Sequence, residues 1–357
     1  MKNKTIPHCT LPWTYLYLRY GGRIQPCCQN STSLGNVNVE GFNFDKVWNG
    51  KEMQLLRKLI SEDKYEEAGC SKDCNIIHTL KHEKGVQLFD SQIIAVAKLN
   101  NNFKNNLYKL KKAISEKKVI SSNLPTQLDI QPTEACNMSC IMCHQNHTNP
   151  DKLGTKEILK VIEPIIETIY SISFQGGEIF IDKKYKELLI NLKHRIQKFQ
   201  QLKVITNGSL LFPEDLDKMT KGENPIYFTI SADGVNEKTF KEIRQSSHFN
   251  RVIKNIRYLA KVQENKKKEI IRWNFVVMKS NFYQIKELII LSSQLKITIF
   301  LQAIIGTYPE ENIFQYLLID IGKALKYIQE AIILQVDLKA KIIGLEILKQ
   351  KLESNKR

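Results

Sequence analysis

Three cysteines in the middle of the chain follow a CxxxCxxC spacing: Cys136, Cys140 and Cys143. They come just after a short strand-like run, Gln127–Gln131. Three thiolates on one loop can hold three irons of a cubane cluster and leave the fourth iron open to a substrate or cofactor. A zinc loop, or a cluster completed by a fourth cysteine from elsewhere, would use the same residues. The spacing therefore predicts a metal centre, and the segments downstream decide which kind.

The composition favours a cytoplasmic, metal-binding protein. At 357 residues, with a hydrophobic content of 42%, the chain can form one large globular domain and a smaller one. The sequence shows neither a membrane-span pattern nor a signal-peptide pattern, so eight cysteines in a reducing compartment favour metal over disulfides. The net charge of +16 favours anionic partners, acidic peptides or phosphorylated metabolites, while no compact arginine and aromatic motif indicates nucleic acid.

A second set of cysteines lies near the N-terminus. Pro12–Arg19 and Arg23–Gln25 predict the two strands of a hairpin that brings Cys9 and Cys27 near each other at its open end. A helix-like stretch, Lys51–Ile60, precedes a second pair of cysteines, Cys70 and Cys74. Two distant pairs that converge on one site would ligate a closed iron–sulfur cluster or zinc. The remaining N-terminal cysteine is Cys28.

From Thr126 onward, strand-like and helix-like stretches alternate. This predicts a parallel α/β sheet with its site at the carboxyl ends of the strands. The candidate strands are Gln127–Gln131, Ser171–Gln175, Lys203–Thr206, Ile226–Ser231, Ile271–Met278 and Thr298–Ile304. The candidate helices include Lys156–Tyr170, Lys184–Phe199, Lys238–Val262 and Gln284–Leu291.

Small and polar residues follow three of these strands. Gly176–Glu178 comes directly after the second strand, where the glycines let the backbone approach a ligand closely and the acid can receive an ammonium group. Thr206–Gly208 ends the third strand, and Ser231–Gly234 ends the fourth. Asn or Asp before Gly is equally what a strand-end turn uses, so binding and turn interpretations both stay open for these two segments.

The cysteine loop and the glycine-rich segment, in this order, resemble the radical S-adenosylmethionine (SAM) superfamily, whose fold is a partial (β/α)6 barrel. The resemblance implies that the three mid-chain cysteines hold a 4Fe–4S cluster whose open iron is chelated by SAM. It also implies that Glu178 binds the SAM amino group and that Arg244 pairs with its carboxylate. We expect Met142, where relatives usually carry an aromatic residue, to pack under the adenine. The residues implied to contact SAM are Gly176, Gly177, Glu178, Ser231 and Arg244.

Residues 8–75 resemble a SPASM or twitch domain, which carries auxiliary 4Fe–4S clusters in radical SAM enzymes. Its motifs occur here in the family order: Cys9, Pro12-Trp13, Gly22, Cys27-Cys28, Leu34-Gly35-Asn36-Val37, Val47-Trp48-Asn49-Gly50, Leu56-Arg57 and Cys70…Cys74. This module usually follows the radical SAM domain, whereas here it precedes it. The resemblance implies one auxiliary cluster on Cys9, Cys27, Cys70 and Cys74, with Cys28 as a spare that could exchange with Cys27. A zinc-stabilised hairpin domain is the alternative.

We expect four segments along the chain. In the linker, Phe103, Leu107, Leu110 and Ile114 recur at helical spacing and predict a helix with one apolar face. The tail is expected to close one end of the barrel or to contact a partner. The segments are the cysteine-rich module (1–75), the helical linker (76–122), the partial barrel (123–310) and the C-terminal helical segment (311–357).

The resemblance implies an enzyme that reductively cleaves SAM to a 5′-deoxyadenosyl radical, which abstracts hydrogen from a substrate C–H bond. The expected substrate is a peptide, in RiPP-type modification, and the alternative is a small metabolite such as a sugar or nucleotide intermediate. A reductase, flavodoxin or ferredoxin is the expected electron donor. A non-enzymatic iron–sulfur carrier or a zinc-structured binding protein is the alternative of another class, but it needs neither an open iron nor Gly176–Glu178.

Overall fold

The computed structural model describes residues 5–6, 8–72, 74, 76–77, 80, 86–87, 100–149 and 151–355. Most of the predicted linker before residue 100 therefore lies outside the described residues. The chain forms two compact units. The first comprises residues 1–134, 149–179 and 184–202, and the second comprises residues 135–148, 180–183 and 203–357.

The sheet of the first unit combines strands of the N-terminal cysteine segment with the first strands of the α/β region. The strands of this unit are β1 (Thr5–Ile6), β2 (Tyr15–Arg19), β3 (Arg23–Gln25), β4 (Gly35–Asn36), β5 (Val86–Gln87), β6 (Gln127–Gln131) and β7 (Ser171–Phe174). β2 pairs in parallel with β6, which pairs in parallel with β7. On its other side β2 forms the predicted hairpin with β3, which pairs with β4. β1 and β5 form a separate antiparallel pair.

The two faces of this sheet differ in polarity, because successive side chains of a strand point to opposite sides. Leu16 and Leu18 of β2 and Leu128 of β6 are fully buried on one face. On the other face, the Tyr17 hydroxyl donates a hydrogen bond to Gln131 Oε1 at 2.7 Å. Burial of each leucine contributes about 1.5–3 kcal/mol, so the apolar face holds this sheet in the core of the unit.

Arg57 ties the helices of the N-terminal segment to the chain just before β6. The helices of this unit are α1 (Leu11–Thr14), α2 (Phe44–Trp48), α3 (Lys51–Ser61), α4 (Asn101–Ser115), α5 (Thr155–Ile162) and α6 (Lys183–Arg195). Arg57 is fully buried. Its Nε donates to the Pro12 carbonyl at 3.0 Å, and its Nη1 donates to Asn49 Oδ1 and the Val119 carbonyl, both at 2.9 Å. The guanidinium also lies 4.6 Å from the ring centre of Trp48.

The second unit is a parallel α/β layer, as the alternation of the sequence predicts. Its strands are β8 (Gln201–Thr206), β9 (Tyr227–Ser231), β10 (Ile271–Val277), β11 (Thr298–Ala303) and β12 (Ile342–Ile343), and each pairs in parallel with the next. Its helices are α7 (Pro213–Thr220), α8 (Glu237–Arg244), α9 (Phe249–Lys266), α10 (Ile285–Leu295), α11 (Ile321–Asp337) and α12 (Leu345–Ser354). The carboxyl ends of β8, β9 and β10 therefore meet at one edge of this sheet.

The predicted parallel α/β class is confirmed, with three local differences. Of the predicted strand Pro12–Arg19, the first residues form α1, because a proline suits the first turn of a helix. The predicted helix Lys156–Tyr170 ends early, since Pro164 has no amide hydrogen to continue it. The predicted helix Lys238–Val262 is two helices, and Gln245 between them adopts a left-handed φ of 50°.

The linker and tail follow their predicted helical patterns. Phe103, Leu107, Leu110 and Ile114 all lie buried on one face of α4. The tail also contains a strand that was not predicted. This strand, β12, lies between α11 and α12 in the chain and pairs with β11. The boundaries of the four expected segments stay a prediction. Among the described residues, the structure contains no helix with the length and apolarity that crossing a membrane requires.

Candidate functional site

The mid-chain cysteines lie on a loop of the second unit that main-chain hydrogen bonds hold in shape. The Cys136 amide donates to the His147 carbonyl at 3.4 Å, and the Cys143 amide donates to the Cys140 carbonyl at 3.0 Å. The Ile141 amide donates to a carbonyl of α8 at 3.0 Å. All three thiols are half-buried and none is in a disulfide. The loop therefore presents three thiols from one short segment of chain.

The turn after β8 contacts the first of these thiols. Asn207 Nδ2 donates to Cys136 Sγ at 3.8 Å and to Asn137 Oδ1 at 2.9 Å. Asn207 Oδ1 accepts hydrogen bonds from the amide and the hydroxyl of Ser209. The Ser209 hydroxyl in turn accepts a hydrogen bond from Asn137 Nδ2 at 2.9 Å. The segment Thr206–Gly208 therefore makes a turn and also fixes the start of the cysteine loop.

Arg244, the last residue of α8, contacts the second thiol. Its Nη1 donates to Cys140 Sγ at 3.6 Å, and its Nη2 lies 2.6 Å from the buried carboxylate of Asp233. Asp233 Oδ1 accepts from the Val276 amide of β10 at 2.7 Å. Burial would lower the pKa of Arg244, but Asp233 and the thiols raise it, so the guanidinium stays charged. Ser231, at the end of β9, is half-buried.

The pKa of the Cys140 thiol reflects two opposing effects. Burial raises it, because an apolar environment disfavours the thiolate, while the nearby Arg244 charge lowers it. The net pKa lies above the ordinary value, so the free thiol is protonated at neutral pH. Metal binding at this position would displace that proton.

Met142 anchors the middle of the loop in an apolar cluster. It packs against Ile243, Met278 and Ile304, which are almost fully buried. Tyr308 packs on the same cluster, and its hydroxyl donates to the Met142 carbonyl at 2.7 Å. The expected contact of Met142 with an adenine stays a prediction.

Gly176, Gly177 and Glu178 lie in the first unit, directly after β7. Gly176 adopts a φ of +140°, and an added Cβ would lie 2.5 Å from the Thr133 carbonyl, so only glycine fits. The Gly177 amide donates to the same carbonyl at 3.0 Å. Glu178 is fully buried. The backbone of this segment therefore lies close to the chain that follows β6, and its predicted approach to a ligand stays a prediction.

Asn30 joins two of the N-terminal cysteines in the first unit. Its backbone forms isolated bridges with Cys27 and with Cys70. Its side-chain Nδ2 donates to the Ala68 carbonyl at 2.7 Å and to Cys70 Sγ at 3.7 Å. Asn30 is almost fully buried, so this amide is a fixed part of the cysteine site.

The four thiols predicted to form the auxiliary site influence one another. Burial and, to a smaller extent, the neighbouring thiols of Cys27, Cys70 and Cys74 together raise the pKa of Cys9 to about 12. Burial and, to a smaller extent, the exposed Cys28 and the thiols of Cys70 and Cys74 together raise the pKa of Cys27 to about 12. The backbone bridges of Asn30 place Cys27 and Cys70 on the same stretch of chain, and the convergence of all four cysteines on one cluster stays a prediction.

Within the parts of the chain that the structure describes, no group of three or more His, Cys, Asp or Glu side chains is arranged to hold a single metal ion. The ligand sets at both cysteine sites therefore stay predictions. Sequence reasoning missed several residues that contact these thiols or their loop. They are Asn30, Asn137, Asp233 as the partner of Arg244, and Tyr308.

Two family models match the chain. The model of the radical SAM superfamily matches residues 130–274, and the model of SPASM, an iron–sulfur cluster-binding domain, matches residues 9–75. The first match contains the mid-chain cysteines and Arg244, and the second contains all five N-terminal cysteines.

Curated relatives match over limited lengths. The antilisterial bacteriocin subtilosin biosynthesis protein AlbA of Bacillus subtilis is 27% identical over 142 residues, which cover 38% of this chain and 31% of AlbA. A probable GTP 3′,8-cyclase of Saccharolobus solfataricus is 30% identical over 171 residues, 47% of this chain and 53% of that protein. The chain thus matches about a third to a half of the length of these relatives.

One solved structure supports the fold. The crystal structure of Streptococcus suis SuiB bound to S-adenosylmethionine is similar with a TM-score of 0.50 and 19% sequence identity. The match covers 86% of this chain and 67% of that chain. At this identity the likeness concerns the fold alone, and it agrees with the predicted α/β architecture.

Proposed function

Because the chain belongs to the radical SAM superfamily and carries a SPASM domain at its N-terminal end, we propose that it is a SAM-cleaving radical enzyme that modifies a peptide. The observation that carries the proposal is the single loop that presents Cys136, Cys140 and Cys143. Side-chain N–H groups of Asn207 and Arg244 donate to two of its sulfurs. Three thiols on one segment suit a cubane that keeps an open iron.

The residues around this loop fit an iron–sulfur cluster. The side chains of Asn207 and Arg244 donate to sulfur, which suits thiolate ligands because hydrogen bonds and positive charge offset their negative charge. When bound, the cluster supplies the electron that splits SAM into methionine and a 5′-deoxyadenosyl radical, which takes a hydrogen atom from a substrate C–H bond. This chain's residues hold the thiols in place and shield them, since the loop is anchored on the Met142 cluster.

The assignments of individual residues are part of the proposal. The three mid-chain cysteines hold the SAM-binding cluster, and the residues that contact SAM are Gly176, Gly177, Glu178, Ser231 and Arg244. In the first unit, the auxiliary cluster is held by Cys9, Cys27, Cys70 and Cys74. The raised thiol pKa values of Cys9 and Cys27 mean that iron binding at these two residues releases protons. A flavodoxin- or ferredoxin-type protein delivers the electron, and the chain's net charge of +16 suits an acidic donor.

Two relatives support a peptide substrate. AlbA is described as a bacteriocin biosynthesis protein, and SkfB of Bacillus subtilis, 27% identical over 128 residues, as a sporulation killing factor maturation protein. The positive net charge suits an acidic leader segment of such a peptide.

A nucleotide is the second candidate substrate. Four relatives, 23–30% identical, are described as probable GTP 3′,8-cyclases. The same positive charge would attract a triphosphate. A non-enzymatic electron carrier is the remaining class, and it would leave SAM intact.

Anaerobic reconstitution tests the class of protein. We expect the wild type to bind close to eight irons if both sites hold 4Fe–4S clusters, and about half of that after Cys136, Cys140 and Cys143 are all changed to Ala. With dithionite and SAM, the wild type should release 5′-deoxyadenosine and the triple variant should not. Ser139→Ala is the matched control, because Ser139 lies on the same loop, is exposed and belongs to neither predicted ligand set. Zinc in place of iron, or intact SAM with the wild type, would reject the proposal.

Product analysis separates the two substrate classes. One arm uses GTP, and the other uses a short peptide encoded beside the gene. A peptide that changes in mass, with GTP left unaltered, supports peptide modification. Conversion of GTP into a cyclised product would instead establish the nucleotide candidate.

A further inference from the structure

Arg244 is placed where it can act on the mid-chain cluster rather than only on SAM. Its Nη1 donates to Cys140 Sγ at 3.6 Å, and its Nη2 pairs with the fully buried Asp233 at 2.6 Å. Asp233 is itself fixed, because its Oδ1 accepts from the Val276 amide and its carbonyl accepts from Asn281 Nδ2 at 3.0 Å. The guanidinium is thus oriented by a carboxylate that cannot easily move.

We propose that Arg244, held by Asp233, is a positioning residue that raises the reduction potential of the cluster on Cys136, Cys140 and Cys143. This inference rests on the proposed function, since it needs a cluster at these cysteines. The role differs from the SAM carboxylate partner that the family resemblance implies for this arginine.

The direction of the effect follows from charge. Reduction adds one electron to the cluster, so a positive charge beside a ligand sulfur stabilises the reduced state more than the oxidised state. A hydrogen bond to the same sulfur acts in the same direction, because it withdraws electron density from the cluster. Asp233 opposes this effect, but its contact is with Nη2, whereas Nη1 of the guanidinium donates directly to Cys140 Sγ. The charge in contact with the sulfur is therefore the positive one.

Arg244 already has two partners before any ligand binds. One N–H group of Nη1 is engaged by Cys140 and one of Nη2 lies against Asp233. Nε is buried without a hydrogen-bond partner. Because a guanidinium carries five N–H groups, a carboxylate that bound to Arg244 would share its charge with Cys140 and Asp233.

A redox titration tests the proposal. The reconstituted full-length protein is titrated anaerobically without SAM, and the cluster is followed by EPR. Later addition of SAM identifies which signal belongs to the SAM-binding cluster. Arg244→Gln should shift the midpoint of that signal to more negative potential, and Arg244→Lys should shift it less. Lys241→Met is the matched control, because it removes one positive charge from the exposed side of α8 and should leave the midpoint unchanged.

Arg244→Gln leaves the buried Asp233 carboxylate without its charged partner, which can destabilise the fold. A second variant, in which both charges are removed, controls for this effect. Asp233→Asn with Arg244→Gln removes both charges and should give a midpoint between those of Arg244→Gln and the wild type. A wild-type midpoint in both variants, with weaker SAM binding, would overturn the proposal in favour of the carboxylate role. Cluster loss in every Arg244 variant, with iron retained by the wild type, would reject it in favour of a structural role. A wild type without iron would instead reject the proposed function.

Discussion

The two cysteine sites of this protein are built in opposite ways. The mid-chain site takes three cysteines from one loop, held by bonds within the loop and to adjacent elements. The N-terminal site draws its cysteines from the segment before α1, from the chain after β3 and from the segment after α3. The difference indicates that the first site forms with its loop, whereas the second forms only when the hairpin and helices of the first unit are folded.

The sites also differ in the charge that faces their sulfurs. At the mid-chain site a charged guanidinium, Arg244, donates to Cys140. At the N-terminal site the donor to Cys70 is a neutral amide, Asn30. A charged donor stabilises an extra electron more strongly than a neutral one. The two sites therefore differ in their donors, with a charged guanidinium at the mid-chain site and a neutral amide at the N-terminal site.

The largest expected difference between the sites concerns SAM cleavage itself. Changing both Cys70 and Cys74 to Ala should remove the auxiliary iron yet keep 5′-deoxyadenosine formation within about threefold of wild type. Cys140→Ala should lower that rate to the uncatalysed background, because the open iron is lost. Both rates come from chromatography of dithionite reactions. If the variant with Cys70 and Cys74 both changed to Ala loses SAM cleavage as completely as Cys140→Ala does, the expected difference between the two sites is wrong.

An intermediate effect is expected in the pH dependence of iron loading at the N-terminal site. Burial raises the pKa of Cys9 and Cys27 to about 12, so both thiols must lose protons to bind iron. Affinity should therefore fall as pH falls, by up to about tenfold per pH unit for each such thiol. The measurement is iron content against a competing chelator from about pH 7 to about pH 9. The variant with Ala at all three mid-chain cysteines isolates this site, and a flat profile would contradict the expectation.

The smallest effect should come from the neutral donors. Asn207→Leu removes the amide that reaches Cys136 Sγ, and Asn30→Leu removes the one that reaches Cys70 Sγ. Each should shift the midpoint of its own cluster slightly negative, and by less than Arg244→Gln shifts the mid-chain cluster, because no charge is lost. EPR titration measures both shifts. A shift for Asn207→Leu as large as that for Arg244→Gln would remove the distinction between charged and neutral donors.

Most of the correct predictions from the sequence rest on patterns among residues that are close together in the chain. Three predicted features depend only on residues close together in the sequence, and all three are present in the structure. They are the loop that carries the mid-chain cysteines, the apolar face of α4 and the strand before Gly176. The left-handed break at Gln245 was missed, because the helical pattern continues on both sides and a single residue interrupts it. The break matters, since it makes Arg244 the last residue of α8.

Contacts between distant segments were harder to predict. Asp233 was recognised as part of a strand-end motif, but its pairing with Arg244 depends on how α8 packs after β9. Arg57 matched a family motif, yet its bonds to the Pro12 and Val119 carbonyls join segments far apart in sequence. Such pairings depend on tertiary packing, which residue patterns along the chain do not encode locally.

The parallel pairing of β2 with β6 has a consequence for biosynthesis. During translation β2 leaves the ribosome well before β6 is made, so one edge of the nascent hairpin waits without its partner strand. Trp48 and Arg57 of the same N-terminal segment also donate to the carbonyls of Asn123 and Val119. The hydrogen bonds of this segment are therefore completed only after that later part of the chain has emerged.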